Sequence, residues 1–400
     1  MDIPANFDFS SPAFRNNPYP GYRFLRQMAP VWKPPGGGPW IVSSHAGCVA
    51  MLRDNRFGHG GDQDVSPEIA AEPAIANLQR MMLLRDPPAH TRLRGLVAKA
   101  FTARRMEALR PRVTEIVDAL IDDVIETGKM DVMRDFAKKL PVTVICDMLG
   151  IPEADRAPFL ADNEVRGKLL DPIMPTRAEL DEANKGVLEG QAYFTKLFAY
   201  RRENPGDDLT TALLLAREND DALTDEEALA NIGLLFAAGH ETTTNMIGNG
   251  MLALQRNLDQ WEKLRTAPEL IGNAVEEILR YDSPVQLTSR VAHEDVEVLG
   301  QKIPAGEQVI ALLGAANRDP AAFTGDPETL DVARPGVKAI SFGGGIHHCL
   351  GAQLARIEGE IAFSRLLERL PGLRLVDTKD VTYKPTITLR GPVSLPAVWQ

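Results

Sequence analysis

FGGGIHHCLG, residues 342–351, is the stretch that decides the fold assignment of this chain, and the helical pattern AQLARIEGEIAFSRLLERL follows it directly. A glycine-rich turn that leads into a helix suits three kinds of site. A phosphate loop would need Gly-Lys-Ser/Thr, which is absent, and the dinucleotide spacing counted from Gly343 meets His348 where its last glycine should stand. A zinc site would need a second Cys/His pair at ligand spacing, and Cys146 is isolated.

The third kind of site is a thiolate held at the start of a helix, and it uses every unusual residue of the stretch. Glycines let the backbone approach a flat cofactor closely. The helix dipole and the free N–H groups at a helix start stabilise negative sulfur, so we expect a lowered pKa for Cys349. The pattern therefore favours a thiolate ligand at Cys349.

A second unusual segment lies within a long predicted helix. Thr224 and Glu227 have capping-box spacing, and an apolar stripe follows, so the pattern predicts a helix from there to about residue 256. Near its middle stands AGHETTT, residues 238–244, where one glycine and three threonines are poor helix formers. We expect a local opening of the helix that admits water or a ligand. The alternative is that these threonines are buried and bonded to the preceding turn.

The remaining pattern predicts a mainly α fold with a smaller β region, in one domain over residues 1–400. PPGGGP, residues 34–39, reads as a turn between two short strands, and 58–80 as a loop with short helical pieces. A helix is expected from 104, with Pro111 kinking it or marking a break. Further helices are expected at 135–149, 178–203 and 268–281, and strands within 284–313 and 374–399.

Composition limits the function classes. The net charge of −11 argues against nucleic acid as a partner, and no apolar run approaches the ~18 residues of a membrane helix. The first residues lack the pattern of a secretory signal, and three widely spaced cysteines do not form a disulfide framework, which together favour a cytoplasmic protein. Residues 85–112 reverse the overall charge, with eight cations against two acids. This basic segment is either a solvated helix face or a docking surface.

With these residues in view, the chain resembles the cytochrome P450 family. FGGGIHHCLG is similar to its haem signature Phe-Gly-x-Gly-x-His-x-Cys-x-Gly without a departure. Three further motifs resemble family motifs in the same order: Asp86-Pro-Pro-Ala-His90-x-x-x-Arg94, Ala238-Gly-His-Glu-Thr-Thr243 and Glu277-Ile-Leu-Arg280, the last joined by Arg334 into a triad. The resemblance covers nearly the whole chain.

The resemblance implies the fold of that family, with haem b lying between the long central helix and the helix after the cysteine loop. It implies Cys349 as the thiolate ligand of the iron, with Phe342 shielding the sulfur. The other implied cofactor-binding residues are partners of the haem carboxylates and residues that line the haem: His90, Arg94, Arg290, His347, Gly351 and Ala238. Glu277, Arg280 and Arg334 are implied to fix the cysteine loop, whereas His45, His59, His293 and His348 are interpreted as surface or packing residues.

The resemblance also implies the reaction, which is insertion of one oxygen atom of O2 into a small apolar organic substrate. Thr242 and its acidic neighbour Glu241 match the residues that manage proton delivery, and their presence favours O2-driven over peroxide-driven chemistry. Aliphatic candidates for the substrate pocket are Leu83, Leu84, Leu235, Val285, Leu287 and Leu389.

Because no flavin or iron–sulfur segment is recognised before Gln400, electrons are expected from a separate ferredoxin and its reductase, docking on residues 85–112. A flavodoxin-like donor is the alternative. Two other functions stay open. One is a haem-thiolate sensor or carrier without oxidation, and the other is a desaturase or C–C-coupling oxidase on the same haem.

Overall fold

Helices dominate the computed structural model, which describes residues 8–9, 11–60, 66–99, 101–160, 165–216 and 222–400. The α-helices are α1 Pro12–Asn16, α2 Tyr19–Met28, α3 His45–Arg53, α4 Pro67–Ala70, α5 Pro73–Arg80, α6 Ala89–Ala98, α7 Ala103–Glu107, α8 Arg110–Ile125, α9 Lys139–Leu149, α10 Ala157–Leu160, α11 Val165–Lys168, α12 Arg177–Glu203, α13 Leu209–Leu215, α14 Asp225–Arg256, α15 Leu258–Thr266, α16 Ile271–Tyr281, α17 Leu313–Ala316 and α18 Ala352–Arg369. Short 3-10 turns occupy Met82–Leu84, Glu153–Asp155, Pro268–Leu270 and Gly345–His347, and a π-helical turn occupies Val132–Ala137.

The strands form three small sheets. They are β1 Val31–Trp32, β2 Trp40–Val42, β3 Phe57–Gly58, β4 Lys129–Asp131, β5 Thr288–Ala292, β6 Val296–Val298, β7 Gln301–Ile303, β8 Gln308–Ala311, β9 Arg374–Leu375 and β10 Pro396–Val398. The largest sheet has the order β1-β2-β8-β5-β3, with β2 and β8 parallel and its other pairs antiparallel. The others are β4-β10-β9 and β6-β7.

The predicted helices and strands are confirmed with two adjustments. Pro111 lies in the first turn of α8, where its missing N–H has no intrahelical partner to lose, so it marks a break between α7 and α8. The region 374–399 contains only the short strands β9 and β10, and the rest of it is irregular apart from isolated bridges such as Val285 with Leu389. The mainly α fold class with a smaller β region is confirmed.

The long helix α14 runs through the main core and ends where the pattern predicted. Its capping box is formed by Thr224 and Glu227. Its C-terminal half approaches α18 closely, since a Cβ on Gly250 would lie 2.5 Å from the ring of Phe363. This contact fixes α14 against the helix that begins at the cysteine loop. Within the described residues, none of the helices has both the length and the apolar character needed to cross a membrane.

Candidate active site

The cysteine loop is a tight turn held between α3 and α18. Gly343 and Gly345 adopt positive φ angles of 70° and 63°, which L-residues with a side chain rarely adopt. Gly345 also lies against α3, because a Cβ there would stand 2.1 Å from the carbonyl oxygen of Leu52. The backbone N–H of Cys349 donates to the carbonyl of Phe342 at 2.9 Å. The glycines thus bring the backbone of the loop back on itself and place Cys349 just before α18.

The Cys349 side chain is exposed, yet protein atoms surround it closely enough for desolvation to raise the pKa of its thiol. A side chain that is accessible and still surrounded by protein lies in a concave region. The backbone N–H of Gly351, which caps α18, and the guanidiniums of Arg94 and Arg356 oppose that rise. The helix start therefore acts in the predicted direction, but the prediction of a lowered thiol pKa is wrong, because desolvation outweighs these groups. A bound metal cation would supply the missing stabilisation of the thiolate.

Phe342 lies beside the loop and packs against the main core. The Arg356 guanidinium stands 4.6 Å above its ring. Arg94 of α6 donates to the carbonyl of His348, so α6 is tied directly to the residue before the cysteine. Leu350 belongs to a cluster with Leu234 and Leu235 of α14 and Leu93 of α6. The loop, the central helix and α6 therefore meet next to Cys349.

Basic side chains gather beside the loop, and several of their imidazole nitrogens have no hydrogen-bond partner among the described residues. The rings of His90 and His347 lie 4.2 Å apart, and His59 meets His347 edge-on at 4.8 Å. Both ring nitrogens of His90 and the Nε2 atoms of His59 and His347 are buried, and none of them has a hydrogen-bond partner among the residues that the structure describes. Desolvation lowers the pKa of Arg290 to about 10 and that of His347 to about 3, the latter helped by Arg290 and His90.

This arrangement fits the haem group that the resemblance implies. Buried donors that lack acceptors are costly, and a carboxylate ligand would satisfy them. Two guanidiniums and several imidazoles beside one concave region match the two carboxylates of haem, while the Cys349 sulfur matches its iron. The chain could therefore hold haem with its carboxylates on the His/Arg cluster and its iron on Cys349.

α14 passes the site as an unbroken helix, so the predicted opening at residues 238–244 is wrong. The Thr242 hydroxyl donates to the Ala238 carbonyl at 3.0 Å, and the Thr244 hydroxyl donates to the His240 carbonyl at 2.8 Å. These bonds are the ones that the alternative interpretation expected. Ala238 is exposed in the middle of this long helix, and Thr242 is half-buried, whereas Thr243 and Thr244 are buried. The small residue and the hydroxyl thus lie on the accessible face of α14.

Glu241 is partly shielded and forms an ion pair. Its carboxylate lies 3.6 Å from Nζ of Lys384, with 13% of the glutamate side chain and 17% of the lysine side chain exposed. Gly167 of α11 packs beside it, since a Cβ there would stand 3.1 Å from Oε1 of Glu241. A carboxylate in this position, one residue from Thr242, can hold and pass protons between the protein interior and solvent.

Glu277, Arg280 and Arg334 form the predicted triad and are fully or almost fully buried. Arg280 donates two hydrogen bonds of 2.7 Å to the Glu277 carboxylate, and Nε of Arg334 donates to the same carboxylate at 3.1 Å. Nη1 of Arg280 donates to the carbonyls of Asn317 and Pro327, and Nη2 donates also to the carbonyl of Thr329. Asn317 in turn accepts from the backbone N–H of Ile340, two residues before Phe342. The triad therefore braces the backbone that enters the cysteine loop.

The basic segment is more neutralised than the sequence suggests. Four of its cations pair with carboxylates from outside the segment: Arg92 with Glu227, Arg105 with Asp207, Arg110 with Glu360 and Arg112 with Asp147. Arg104 is exposed and forms no ion pair within the described part of the chain. Arg53 of α3 adds an exposed cation whose Cα lies 3.4 Å from where a Cβ of Gly345 would stand. The positive surface near the loop thus extends beyond residues 85–112.

The pocket candidates lie in three places. Leu83 and Leu235 pack in the cluster shared by α6, α14 and Leu350, and Val285 bridges to Leu389. Leu287 instead packs with Tyr19 and Tyr22 in a separate N-terminal core, so it does not share that cluster. The resemblance also places a pocket-lining segment at roughly 161–195, and residues 161–164 of it lie outside the described residues.

The sequence missed two residues that stand at the site. His59 was interpreted as surface or packing, but it contacts His347, and Lys384 was not singled out although it pairs with Glu241. Both follow from tertiary placement rather than from a motif. His59 is a single histidine after the two-residue strand β3, and so short a segment shows no periodicity from which its position could be predicted.

Comparison with known proteins matches this chain to one family. The family model described as Cytochrome P450 matches residues 192–392. The biotin biosynthesis cytochrome P450 of Bacillus subtilis is 41% identical, with 98% of each chain covered. The vitamin D(3) 25-hydroxylase of Pseudonocardia autotrophica is 42% identical, over 97% of this chain and 95% of that protein.

A solved structure agrees with these sequence matches. P450BioI in complex with an acyl carrier protein ligated to hexadec-9Z-enoic acid superposes with a TM-score of 0.90 at 39% identity, covering 97% of this chain and 99% of that one.

Proposed function

Because the chain belongs to the cytochrome P450 family of haem-binding monooxygenases, we propose that it inserts one oxygen atom of O2 into a small apolar organic molecule. When bound, the haem supplies the site at which O2 is held and activated. The protein's own contribution is to bind the haem, to exclude bulk water from it and to place protons. The observation that carries the proposal is Cys349 at the start of α18, exposed within a concave region next to imidazoles whose buried nitrogens have no hydrogen-bond partner in the described part of the chain.

Each residue of the cofactor site has a proposed role. Cys349 is the iron ligand, Phe342 covers one side of the sulfur, and the N–H of Gly351 stabilises the thiolate. Four basic residues form what we call the haem-carboxylate cradle: His90, Arg94, Arg290 and His347. Ala238 has no side chain beyond Cβ, so it lets the haem and a small ligand approach α14.

Glu241 and Thr242 are the proposed proton-handling pair. Glu241 is shielded by Lys384 and Gly167 but not sealed, so its carboxylate can exchange protons with solvent. The Thr242 hydroxyl donates to the Ala238 carbonyl, so it is also placed to accept a hydrogen bond on the accessible face of α14. An acid next to an alcohol suits the delivery of protons to one position.

The substrate and the electron donor are proposed at a coarser level. Aliphatic side chains near α14, including Leu83, Leu235 and Leu389, favour an apolar substrate. Residues 1–400 are proposed to form one domain. A separate acidic ferredoxin, with its reductase, is the proposed electron donor. Its proposed docking surface comprises the basic segment 85–112 and Arg53.

The proposal is tested by the absorption spectrum of the reduced protein with CO. A thiolate-ligated haem gives a strongly red-shifted Soret band, and Cys349→Ser should abolish it because serine provides no thiolate. Cys48→Ser and Cys146→Ser are matched controls, since both thiols are buried elsewhere, and they should keep the band. A normal band in Cys349→Ser would remove Cys349 as the ligand. A normal band in the wild type with no O2 consumption when electrons are supplied would favour the sensor or carrier alternative.

A further inference from the structure

His59 follows β3 at the edge of the large sheet, next to the strand that carries Arg290. β3 and β5 are antiparallel, with Phe57 opposite Ala292 and Gly58 opposite Val291. Extending this register by one residue places His59 opposite Arg290. The pKa of His59 is strongly lowered by desolvation and then by Arg290, which agrees with this placement. The sheet therefore brings His59 to the haem-carboxylate cradle, whereas His90 and Arg94 reach it from α6.

Asp86 fixes the backbone on both sides of the cradle. Its carboxylate accepts the backbone N–H of His59 at 2.9 and 3.0 Å, and its carbonyl accepts the backbone N–H of His90 at 2.9 Å. The close approach requires Gly58, because a Cβ there would stand 2.6 Å from both carboxylate oxygens of Asp86. His293 Nε2 lies 3.2 Å from the same carboxylate and completes its surroundings. One acidic residue thus sets the positions of two imidazoles.

The ring of His59 lies against the cradle but has nothing to bond within it. Its Nε2 atom is buried and has no hydrogen-bond partner within the described parts of the chain, and its ring meets His347 edge-on at 4.8 Å. Among the described residues, the carboxylate that contacts His59 is that of Asp86, and it already accepts the backbone N–H of His59. His59 is thus the third imidazole here, with His90 and His347, whose buried ring nitrogen has no partner among the described residues. Three such imidazoles side by side indicate that the missing partner is an anionic ligand rather than another side chain.

We propose that His59 is a fifth basic residue of the haem-carboxylate cradle, donating through Nε2 to a haem carboxylate, and that Asp86 is its positioning residue. This inference rests on the proposed function, since it concerns the same cofactor. It assigns a role to a histidine that no motif of the sequence marks. His59 and Arg290 would hold a carboxylate from the sheet, whereas His90 and Arg94 hold from α6.

The test measures the rate at which the ferric holoprotein loses haem to excess apomyoglobin. His59→Phe keeps a ring but removes the donor, and we expect haem loss to become about tenfold faster, as for one charge-assisted hydrogen bond. His59→Gln keeps an N–H donor and should restore most of the wild-type rate. Asp86→Asn leaves His59 in the chain but weakens its anchor, so an intermediate rate is expected. The midpoint potential of the haem should fall in His59→Phe, because a less compensated carboxylate favours the ferric state.

Two results would overturn the inference and leave the proposed function standing. One is a wild-type rate and potential in His59→Phe while His90→Phe loses haem rapidly. The other is equal acceleration in His59→Phe and His59→Gln, which would indicate loss of packing rather than of a donor. Should His59→Phe not fold, His59→Ala and Asp86→Asn carry the same comparison. Failure of the proposed function looks different, since the wild type would then lack the thiolate Soret band.

Discussion

At the residue scale, Thr242 and Thr244 make the same hydrogen bond within α14 but differ in exposure. Each hydroxyl donates to the carbonyl four residues earlier, but Thr242 is half-buried on the accessible face of α14 and Thr244 is buried. A threonine whose only role is to satisfy the preceding turn would be interchangeable with the other. The proposed role of Thr242 depends on its hydroxyl being reachable from the haem side, so the pair provides a matched comparison.

Thr242→Ala should bind haem and substrate and should still draw electrons, because none of these steps needs the hydroxyl. We expect a lower fraction of electrons in oxidised product and more hydrogen peroxide, since positioned proton transfer is worth roughly 10²–10⁴-fold in rate. Product and peroxide per NAD(P)H consumed are the quantities to measure. Thr244→Ala should keep wild-type coupling. Equal coupling in both variants would reduce Thr242 to a structural residue.

Glu358 is an acid that the reaction does not use in an obvious way. It lies on α18 with its carboxyl fully buried, and desolvation raises its pKa to about 8. The Thr243 hydroxyl acts to lower that pKa, but among the described residues neither carboxyl oxygen has a well-formed hydrogen-bond partner. The folded protein therefore holds a proton on Glu358 at pH 7.

This proton has a consequence for stability. In the unfolded chain the carboxyl ionises above its ordinary pKa of 4.5, so unfolding releases a proton between pH 4.5 and about 8. Below pH 4.5 the carboxyl is protonated in both states, so burying it carries no penalty for ionisation. As pH rises from there to about 8, the free energy of unfolding falls by up to about 1.4 kcal/mol per pH unit. Glu358→Gln should remove this slope and should be at least as stable as the wild type near pH 7. Urea unfolding across pH 5–8, with exposed Glu368→Gln as control, measures it, and identical slopes in all three proteins would contradict the shifted pKa.

At the scale of elements, sequence periodicity was sufficient where an element is long and has one apolar face. α12, α14 and α16 begin and end within a few residues of their predicted bounds, because capping residues and apolar spacing are local signals. The opening predicted in α14 does not form, because the hydroxyls of Thr242 and Thr244 bond within the helix and leave its own ladder intact. Local propensity gave the wrong answer there because packing holds the helix.

The site was predictable only where a motif names its residues. Cys349 was predicted from its place at a helix start and again by the resemblance, whereas His90 and Arg290 were found through the resemblance alone. The structure places His90 and Arg290 in one cluster with His347. His59 and Lys384 were missed because their positions depend on strand register and on the path of an irregular C-terminal segment. The ion pairs of the basic segment with Glu227, Asp207, Glu360 and Asp147 could not be predicted either, because they join residues that are distant in the sequence.

The buried triad of Glu277, Arg280 and Arg334, which supports the backbone that enters the cysteine loop, leads to a prediction about stability. Glu277 is the carboxylate that pairs with both buried guanidiniums, so Glu277→Gln removes the charge that compensates them directly. We expect a loss of about 3–5 kcal/mol in the free energy of unfolding and poor incorporation of haem. Glu276→Gln is the matched control one residue earlier, because Glu276 pairs with Arg356 at a partly exposed position and should cost under ~1 kcal/mol. Urea midpoints and haem content distinguish the two, and equal effects would contradict a special role for the buried carboxylate.

At the scale of the whole molecule, charge is distributed unevenly for an acidic protein. The net charge of −11 repels an acidic partner at long range, so docking must rely on a local positive surface. Because Arg92, Arg105, Arg110 and Arg112 are paired, their contribution to that surface is partly cancelled. Arg104 keeps its full charge at the surface, and Arg53 adds a cation on α3 beside the cysteine loop.

The last prediction concerns this surface. Arg53→Glu combined with Arg104→Glu should slow reduction by an acidic ferredoxin at low salt, by a factor on the order of 10, because steering charges act on association. The effect should shrink as salt is raised, since screening shortens to ~8 Å at physiological ionic strength. Arg134→Glu with Arg265→Glu changes the net charge equally, at exposed positions outside the docking surface, and should alter the rate much less. Stopped-flow reduction across a salt series measures all three proteins. If both double variants slow reduction equally, the donor responds to total charge alone; if neither does and salt has no effect, the positive surface is a solvated face and electrons enter elsewhere.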